Sequence, residues 1–308
     1  MAPNRYTGRF APSPTGPLHL GSLVTAVASF LDARAHQGRW LLRIEDIDPL
    51  REVPGAADLI VRQLAAHSLE WDGPICYQSR RGALYRDALA RLADAGLLYA
   101  CSCSRQRLHA LGGRYDGACR ARRYSLHNSA PAGALRICAD GDGADNLRDF
   151  IQGRAFGAPC AGGDFIVLRR DGLVAYQLAT AVDDAEQGIT HVLRGADLFD
   201  STPRQCYLLA RLRLSPPDYG HVPLVLGTDG HKLSKQNLAP ALVATDATAN
   251  LHWALRWLGL DPPGELMTGK PADLLAWGTR HWSRDKIATQ PRQVQKMPNR
   301  NPGKKKSV

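Results

Sequence analysis

The stretch that constrains this chain most is Arg9-Phe-Ala-Pro-Ser-Pro-Thr-Gly-Pro-Leu-His-Leu-Gly-Ser22. Residues 5–11 read as a short strand, and Pro12, Pro14 and Pro17 stiffen the loop that follows. From Leu18 to about Ala35 the apolar residues Leu20, Leu23, Val24, Val27, Phe30 and Leu31 recur at helical spacing. A rigid loop that opens straight into a helix leaves backbone N–H groups pointing out of the helix start. Together with the helix dipole they make an anion site. Pro17 suits the first turn, and Gly16 and Gly21 let a ligand approach the backbone. His19 would point from that turn toward a bound phosphate. Taken alone, His19 reads equally well as a capping residue of a tight turn. The whole string does not reduce to one.

The rhythm continues with a buried strand over 39–44 and helical patterns over about 54–67 and 80–95, the last ending at Gly96. Strand, loop, helix, strand and helix in this order predict an α/β domain with a parallel sheet. Residues 99–131 break the pattern with Cys-x-Cys, Gly112-Gly113 and a run of arginines, so they read as an inserted module. Strand signals return at 134–138, a hairpin is expected over 164–175, and a helix near 176–187 precedes a strand over 189–194. Another helix covers about 202–213, and residues 221–227 read as a final strand. Beyond Ala239 the pattern is helical and holds Trp253, Trp257, Trp277 and Trp282, expected as the core of a small helical end. The domain reading is therefore a catalytic domain over 1–240, a helical part over 241–283 and a basic, disordered tail over 284–308.

Net charge is +10, and +7 of it lies in residues 284–308, which hold eight basic residues and the single acid Asp285. A basic tail contacts phosphate weakly and without sequence preference, or merely solubilises, so the charge alone does not assign nucleic-acid binding. No stretch approaches the roughly 18 apolar residues of a membrane span. The start of the chain lacks a charged-then-apolar leader, so the expected compartment is the cytoplasm, without a membrane association. There the seven cysteines do not form a disulfide framework.

Lysine usage is more telling. The first 231 residues contain no lysine, although arginine is plentiful; then Lys232 and Lys235 stand three apart in Gly227-Thr-Asp-Gly-His-Lys-Leu-Ser-Lys-Gln236. A glycine-rich loop after a strand, carrying two compact point charges, suits a phosphate whose negative charge grows during nucleotidyl transfer. Leu42-Arg-Ile-Glu-Asp-Ile-Asp48 sets three acids at the carboxyl edge of a buried strand, where open α/β sheets bind ligands. Glu45 could receive an ammonium group there, while Asp48 reads as a solvated turn residue.

These strings together resemble the class I aminoacyl-tRNA synthetases, in their glutamyl branch. His19-Leu-Gly-Ser22 is similar to the first class signature, with Ser22 in place of its last histidine, and Lys232-Leu-Ser-Lys-Gln236 is similar to the second. Phe10-Ala-Pro-Ser-Pro-Thr-Gly16, Leu42-Arg-Ile-Glu-Asp46, Val182-Asp-Asp184 and Thr190-His-Val-Leu-Arg-Gly195 resemble the glutamyl and glutaminyl group specifically. The resemblance runs from about residue 5 to 240 and implies a Rossmann-like catalytic domain. It implies a glutamate site made of Arg9, Phe10, Ala11, Pro12, Ser13, Glu45, Tyr176 and Arg194, with Arg9 or Arg194 selecting the side-chain carboxylate. The planar fork of Arg194 suits a bidentate grip on it. The resemblance also implies that Pro12, His19, Gly21, Ser22 and Lys235 hold Mg-ATP, and that His19, Lys232 and Lys235 stabilise the reacting phosphates. Thr180 departs from the asparagine common in glutamyl-tRNA synthetases.

Cys101-x-Cys103 and Cys119 suit one structural zinc ion, which takes four ligands. The resemblance implies Tyr115 as the fourth, and His109 is the conventional alternative. Cys76, Cys138, Cys160 and Cys206 read as buried small side chains. The match ends where glutamyl-tRNA synthetases continue into anticodon-reading domains. That ending and the Cys-x-Cys insert resemble the glutamyl-Q tRNA(Asp) synthetase family. The implied reaction is ATP-dependent activation of L-glutamate by a monomer and transfer to the queuosine base of the tRNA(Asp) anticodon arm. The alternatives are a short glutamyl-tRNA synthetase charging the 3′ end of tRNA(Glu), a small-molecule ligase or nucleotidyltransferase of this fold, and a catalytically silent RNA-binding paralogue.

Overall fold

In the computed structural model, residues 6–112, 114–122, 133–140, 147–157, 163–233 and 240–293 are described. Strand β1 (Thr7–Phe10) crosses through helix α1 (Leu20–Ala35) into the parallel strand β2 (Arg39–Ile44), with Arg9 beside Leu41. Helix α2 (Ala56–Ala66) leads to β3 (Cys76–Tyr77), parallel to β2 on its other side, and α3 (Gly82–Asp94) follows. This is the parallel pattern expected from the order of periodicities.

It is then interrupted. Strand β4 (Leu98–Cys101), the short helix α4 (Arg105–Ala110), β5 (Ala134–Ile137) and β6 (Phe165–Leu168) form a three-stranded antiparallel unit. The departure from parallel topology therefore reaches further than the expected insert at 99–131. The expected hairpin at 164–175 is present in part, as a bridge between Leu168 and Val174.

Helix α5 (Tyr176–Glu186), β7 (His191–Gly195), α6 (Thr202–Arg211) and β8 (Asp218–Val222) restore the parallel motif, and β7 pairs with β8. The Thr190 N–H donates to the Thr7 carbonyl at 2.9 Å, which sets β7 beside β1. The single strand expected over 221–227 is split, because β8 ends at Val222 and β9 (Val225–Leu226) starts after Pro223. Proline has no N–H to continue a ladder.

Helices α7 (Ala247–Trp257) and α8 (Pro271–His281) do not make a separate helical end. Trp257 is buried in the core that surrounds α1, and Trp253, Trp277 and Trp282 pack against that core. Nor does the tail begin at residue 284: Arg284 pairs with buried Asp32 of α1, and β10 (Arg292–Gln293) runs parallel to β9. The expected disordered tail beyond that point, residues 294–308, lies outside the described residues. Among the described residues, no helix is long and apolar enough to cross a membrane.

Candidate active site

The loop between β1 and α1 does what its prolines and glycines predict. His19 is the N-cap of α1: its Nδ1 accepts the Ser22 N–H at 3.2 Å, and Ser22 Oγ accepts the His19 N–H at 2.8 Å. His19 is thus the capping residue, and because Nδ1 accepts, the ring proton of the neutral form falls on Nε2. Ser22 closes the capping box in the place where the class signature has a histidine. A Cβ on Gly21 would crowd the His19 ring at 3.1 Å and would lie at ordinary contact distance, 3.4 Å, from the Leu233 carbonyl of the second signature segment. His19, Gly21 and Ser22, with Phe10, Pro12 and Ser13, line a cleft of about 480 Å³. Lys232 stands on its other wall, with Nζ 2.6 Å from Asp197 Oδ2. Lys235 and Gln236 lie outside the described residues, as does Cys160.

A second cavity of about 270 Å³ adjoins the first through Ser13, Thr15 and Arg51, and is walled by Glu45, Tyr176 and Gln78. Glu45 is buried at the end of β2, where Thr180 Oγ1 donates to its Oε1 at 3.4 Å and Arg43 Nη2 lies 3.6 Å away. Thr180, the departure from the family pattern, thus braces the acid itself. Burial raises the Glu45 pKa above the usual carboxylate range in spite of the nearby Arg43 and Arg9. Ala11 is half-buried and lines neither cavity. Asp48 is not the solvated turn residue expected: it accepts from Arg51 at 2.7 Å and Arg169 at 2.9 Å on the cavity wall.

Beneath this cavity lies a charge network that links distant segments. Asp184 takes Arg9 Nε at 3.2 Å and lies 2.8 Å from Arg43 Nη2, and Asp183 takes Gln78 Nε2 at 2.7 Å, Tyr85 Oη at 2.8 Å and Arg81 Nε at 2.5 Å. Because the Asp183 carboxylate only accepts, the Gln78 amide is oriented, and its buried Oε1 has no hydrogen-bond partner among the described residues. Arg43, Gln78 and Arg51 were not singled out from sequence. Arg43 stands two residues before Glu45, on the same face of the extended chain, which was the one local signal for it.

Arg194 differs from Arg9. It is buried, yet no carboxylate among the described residues pairs with it. Its Nε donates to His221 Nε2 at 3.0 Å, Nη1 to Gln205 Oε1 at 2.8 Å, and Nη2 to Thr202 Oγ1 at 2.8 Å and the Leu198 carbonyl at 3.3 Å. One N–H on Nη1 is left over, so the bidentate grip expected of its fork is not available in this arrangement. Its guanidinium also sits 5.2 Å from the Tyr219 ring centre.

In the antiparallel unit, the sulfurs of Cys101, Cys103 and Cys119 lie within 4.8 Å of one another. Cys103 and Cys119 are 3.6 Å apart, and Tyr115 Oη is 3.6 Å from both Cys101 and Cys103. Tetrahedral zinc with Zn–S bonds of about 2.3 Å needs sulfurs roughly 3.8 Å apart, so this donor set fits the ion. His109 is exposed on α4 and outside the cluster, so the structure brings Tyr115 to the cysteines and not His109. Burial pushes the Cys101 thiol up, but hydrogen bonds from Tyr115 and the Cys103 backbone and the Arg136 charge bring it down to about 7. The Arg136 guanidinium lies 4.1 Å above the Tyr115 ring. Cys138 and Cys206 are buried as expected, and Cys76 is half-buried.

Residues 6–250 match the family model "tRNA synthetases class I (E and Q), catalytic domain". The chain is 51% identical over 286 residues to the glutamyl-Q tRNA(Asp) synthetase of Ectopseudomonas mendocina, covering 92% of this chain and 95% of that one. It is 49% identical over 294 residues to the protein of the same name from Neisseria meningitidis serogroup B, covering 92% and 97%. The crystal structure of glutamate-tRNA synthetase from Elizabethkingia anophelis superposes with a TM-score of 0.72 at 23% identity, over 94% of this chain and 68% of that one, a likeness of fold. The chain belongs to the class I synthetases of the glutamyl and glutaminyl group, in the glutamyl-Q tRNA(Asp) synthetase family.

Proposed function

We propose that the protein activates L-glutamate with Mg-ATP and transfers the glutamyl group to the queuosine base at the wobble position of tRNA(Asp). The observation that carries the glutamate reading is the pairing of opposite needs around Tyr176. Buried Glu45 lines the smaller cavity beside Tyr176 and can receive an ammonium, and buried Arg194, whose charge also reaches Tyr176, has no carboxylate partner among the described residues. A free amino acid with an acidic side chain meets both. In the first step a glutamate carboxylate oxygen attacks the α-phosphorus, the bond to the bridging oxygen breaks, and pyrophosphate leaves. The start of α1 and the His19 ring face the phosphates from one wall of the larger cleft, and Lys232 from the other. Lys235 is assigned the same task from the second signature alone.

In the second step a hydroxyl of the queuosine cyclopentene ring attacks the adenylate carbonyl carbon. AMP leaves and takes up the proton. A third cleft, of about 520 Å³, offers room for that nucleotide: it shares Ile47, Glu52, Gln78 and Val174 with the glutamate cavity. A monomer that engages the anticodon arm is sufficient for this scheme. Zinc held by Cys101, Cys103, Cys119 and Tyr115 would brace the antiparallel unit and takes no part in either step.

Exchange of labelled pyrophosphate into ATP, dependent on glutamate and measured without tRNA, tests the first step. Glutamylation of tRNA(Asp) with and without queuosine tests the second. Exchange without tRNA and labelling only of the queuosine-containing tRNA are expected. Labelling of tRNA(Glu) at its 3′ end instead would overturn the proposal in favour of a short glutamyl-tRNA synthetase.

A further inference from the structure

Against Arg194 lies a buried pair that the two-step scheme does not use. Asp149 is anchored by the backbone: its Oδ1 accepts the N–H groups of Ile151 at 2.8 Å, Gln152 at 2.6 Å and His221 at 3.2 Å. Its Oδ2 accepts His221 Nδ1–H at 2.5 Å. The imidazole is thereby the Nδ1–H tautomer, and its Nε2 accepts the Arg194 Nε–H at 3.0 Å. Asp149 and His221 are 1% and 0% exposed, and the ring sits edge-on to Phe156 and Phe199 at 5.9 and 5.3 Å. A carboxylate, a neutral ring and a guanidinium thus stand in line, and the line ends at a buried arginine that has no carboxylate partner among the described residues.

We propose that Asp149 and His221 are positioning residues for glutamate: they fix the Arg194 guanidinium while leaving its charge for the substrate carboxylate. The inference rests on the reading of Arg194 as a glutamate contact. A carboxylate in direct contact would orient Arg194 equally well, as Asp184 does Arg9, but would also satisfy its charge. The interposed imidazole separates the two effects. It hands over an acceptor in a fixed direction and keeps the anion a ring's width away. Burial, and after it the charge of Arg194, hold His221 below its usual pKa against the opposing pull of Asp149, so the ring stays an acceptor at neutral pH. An uncompensated buried guanidinium is costly, and a bound carboxylate relieves that cost.

Two substitutions separate orientation from space-filling. In His221→Gln the side-chain amide reaches the ε position and can still accept from Arg194. In His221→Asn it reaches only the δ position and keeps the Asp149 contact alone. In pyrophosphate exchange without tRNA, the Asn variant should raise the KM for glutamate by about tenfold or more, the scale of a lost charge-assisted hydrogen bond. Its KM for ATP should not change, and the Gln variant should stay near wild type. Equal behaviour of the two variants overturns the proposal. An unchanged glutamate KM in Arg194→Lys instead overturns the reading of Arg194 on which it rests. Should the Asn variant fail to fold, nitrogen NMR of the histidine rings in the unaltered protein decides. His221 is expected as the Nδ1–H tautomer, with its Nε2 signal moving when glutamate is added, and an Nε2–H tautomer overturns the proposal.

Discussion

In the proposed glutamate site Glu45 would set the pH range of recognition, because it can receive an ammonium only when ionised and burial raises its pKa from the ordinary value. Protonation therefore sets in at a higher pH than for an exposed glutamate. The prediction is that kcat/KM for glutamate in pyrophosphate exchange falls as the medium is acidified through that raised pKa, because this parameter reports the free enzyme. Glu45→Gln should remove the acid limb and raise the glutamate KM roughly 10- to 100-fold, as expected for a lost hydrogen bond to a charged group. An acid limb that survives in Glu45→Gln would assign the titration to another group. Glu45 was singled out in sequence by its place at the carboxyl edge of a buried strand, and its burial there is what the structure adds. Arg43 was hidden, since its partner Asp184 lies far along the chain and no local pattern links them. Arg194 was singled out only through family resemblance; that it has no carboxylate partner among the described residues is a fact of packing.

At the scale of elements, the antiparallel unit was legible as an interruption but not as a sheet. Its strands are four residues each, and β4 and β5 are joined across a long connection, so neither period nor turn chemistry announces their pairing. The cysteine spacing pointed to a metal, yet the choice between Tyr115 and His109 needed the fold, which turns one inward and leaves the other on the surface of α4. The split of β8 from β9 was open to sequence through Pro223 and is explained by its missing N–H. If zinc braces this unit, a chelator or Cys119→Ser should lower the melting temperature and reduce glutamylation of tRNA(Asp). Glutamate-dependent pyrophosphate exchange should persist, because the walls of the proposed ATP cleft come from β1, α1 and the segments at the ends of β7 and β8. Equal loss of both activities would assign the cysteines to the catalytic centre instead. Metal analysis of the purified protein should find about one zinc per chain, as a closed four-ligand site requires.

Across the whole molecule, one buried carboxylate ties the C-terminal segment to the first crossover. Asp32 of α1 is fully buried and accepts from Tyr6 Oη at 2.5 Å, Trp282 Nε1 at 2.9 Å, and Arg284 Nε and Nη2 at 2.8 and 2.9 Å. Arg284 also lies 4.1 Å above the Phe150 ring, so it joins α1, the loop after β5 and the end of α8. Burial pushes the Asp32 pKa up, but Arg284, Tyr6 and Trp282 outweigh it and hold the carboxyl below its usual value. A carboxylate with a depressed folded pKa contributes stability that is fully present above its unfolded pKa of about 4 and is lost as the pH falls toward the folded value. Arg284→Ala leaves that carboxylate buried with two neutral donors. Its ionised form then becomes a burden, and breaking a buried pair from one side costs about 3 kcal/mol or more. Thermal melts of Arg284→Ala should accordingly show a lower Tm than wild type at neutral pH. The gap should narrow as the pH approaches 4, where Asp32 can shed its charge in the variant first. A gap that stays constant from neutral to acid pH would mean that Arg284 acts through its contact with Phe150 and not through Asp32. The same melts would show whether residues 284–293, rich in cations and easily read as the start of a tail, belong to the cooperative fold.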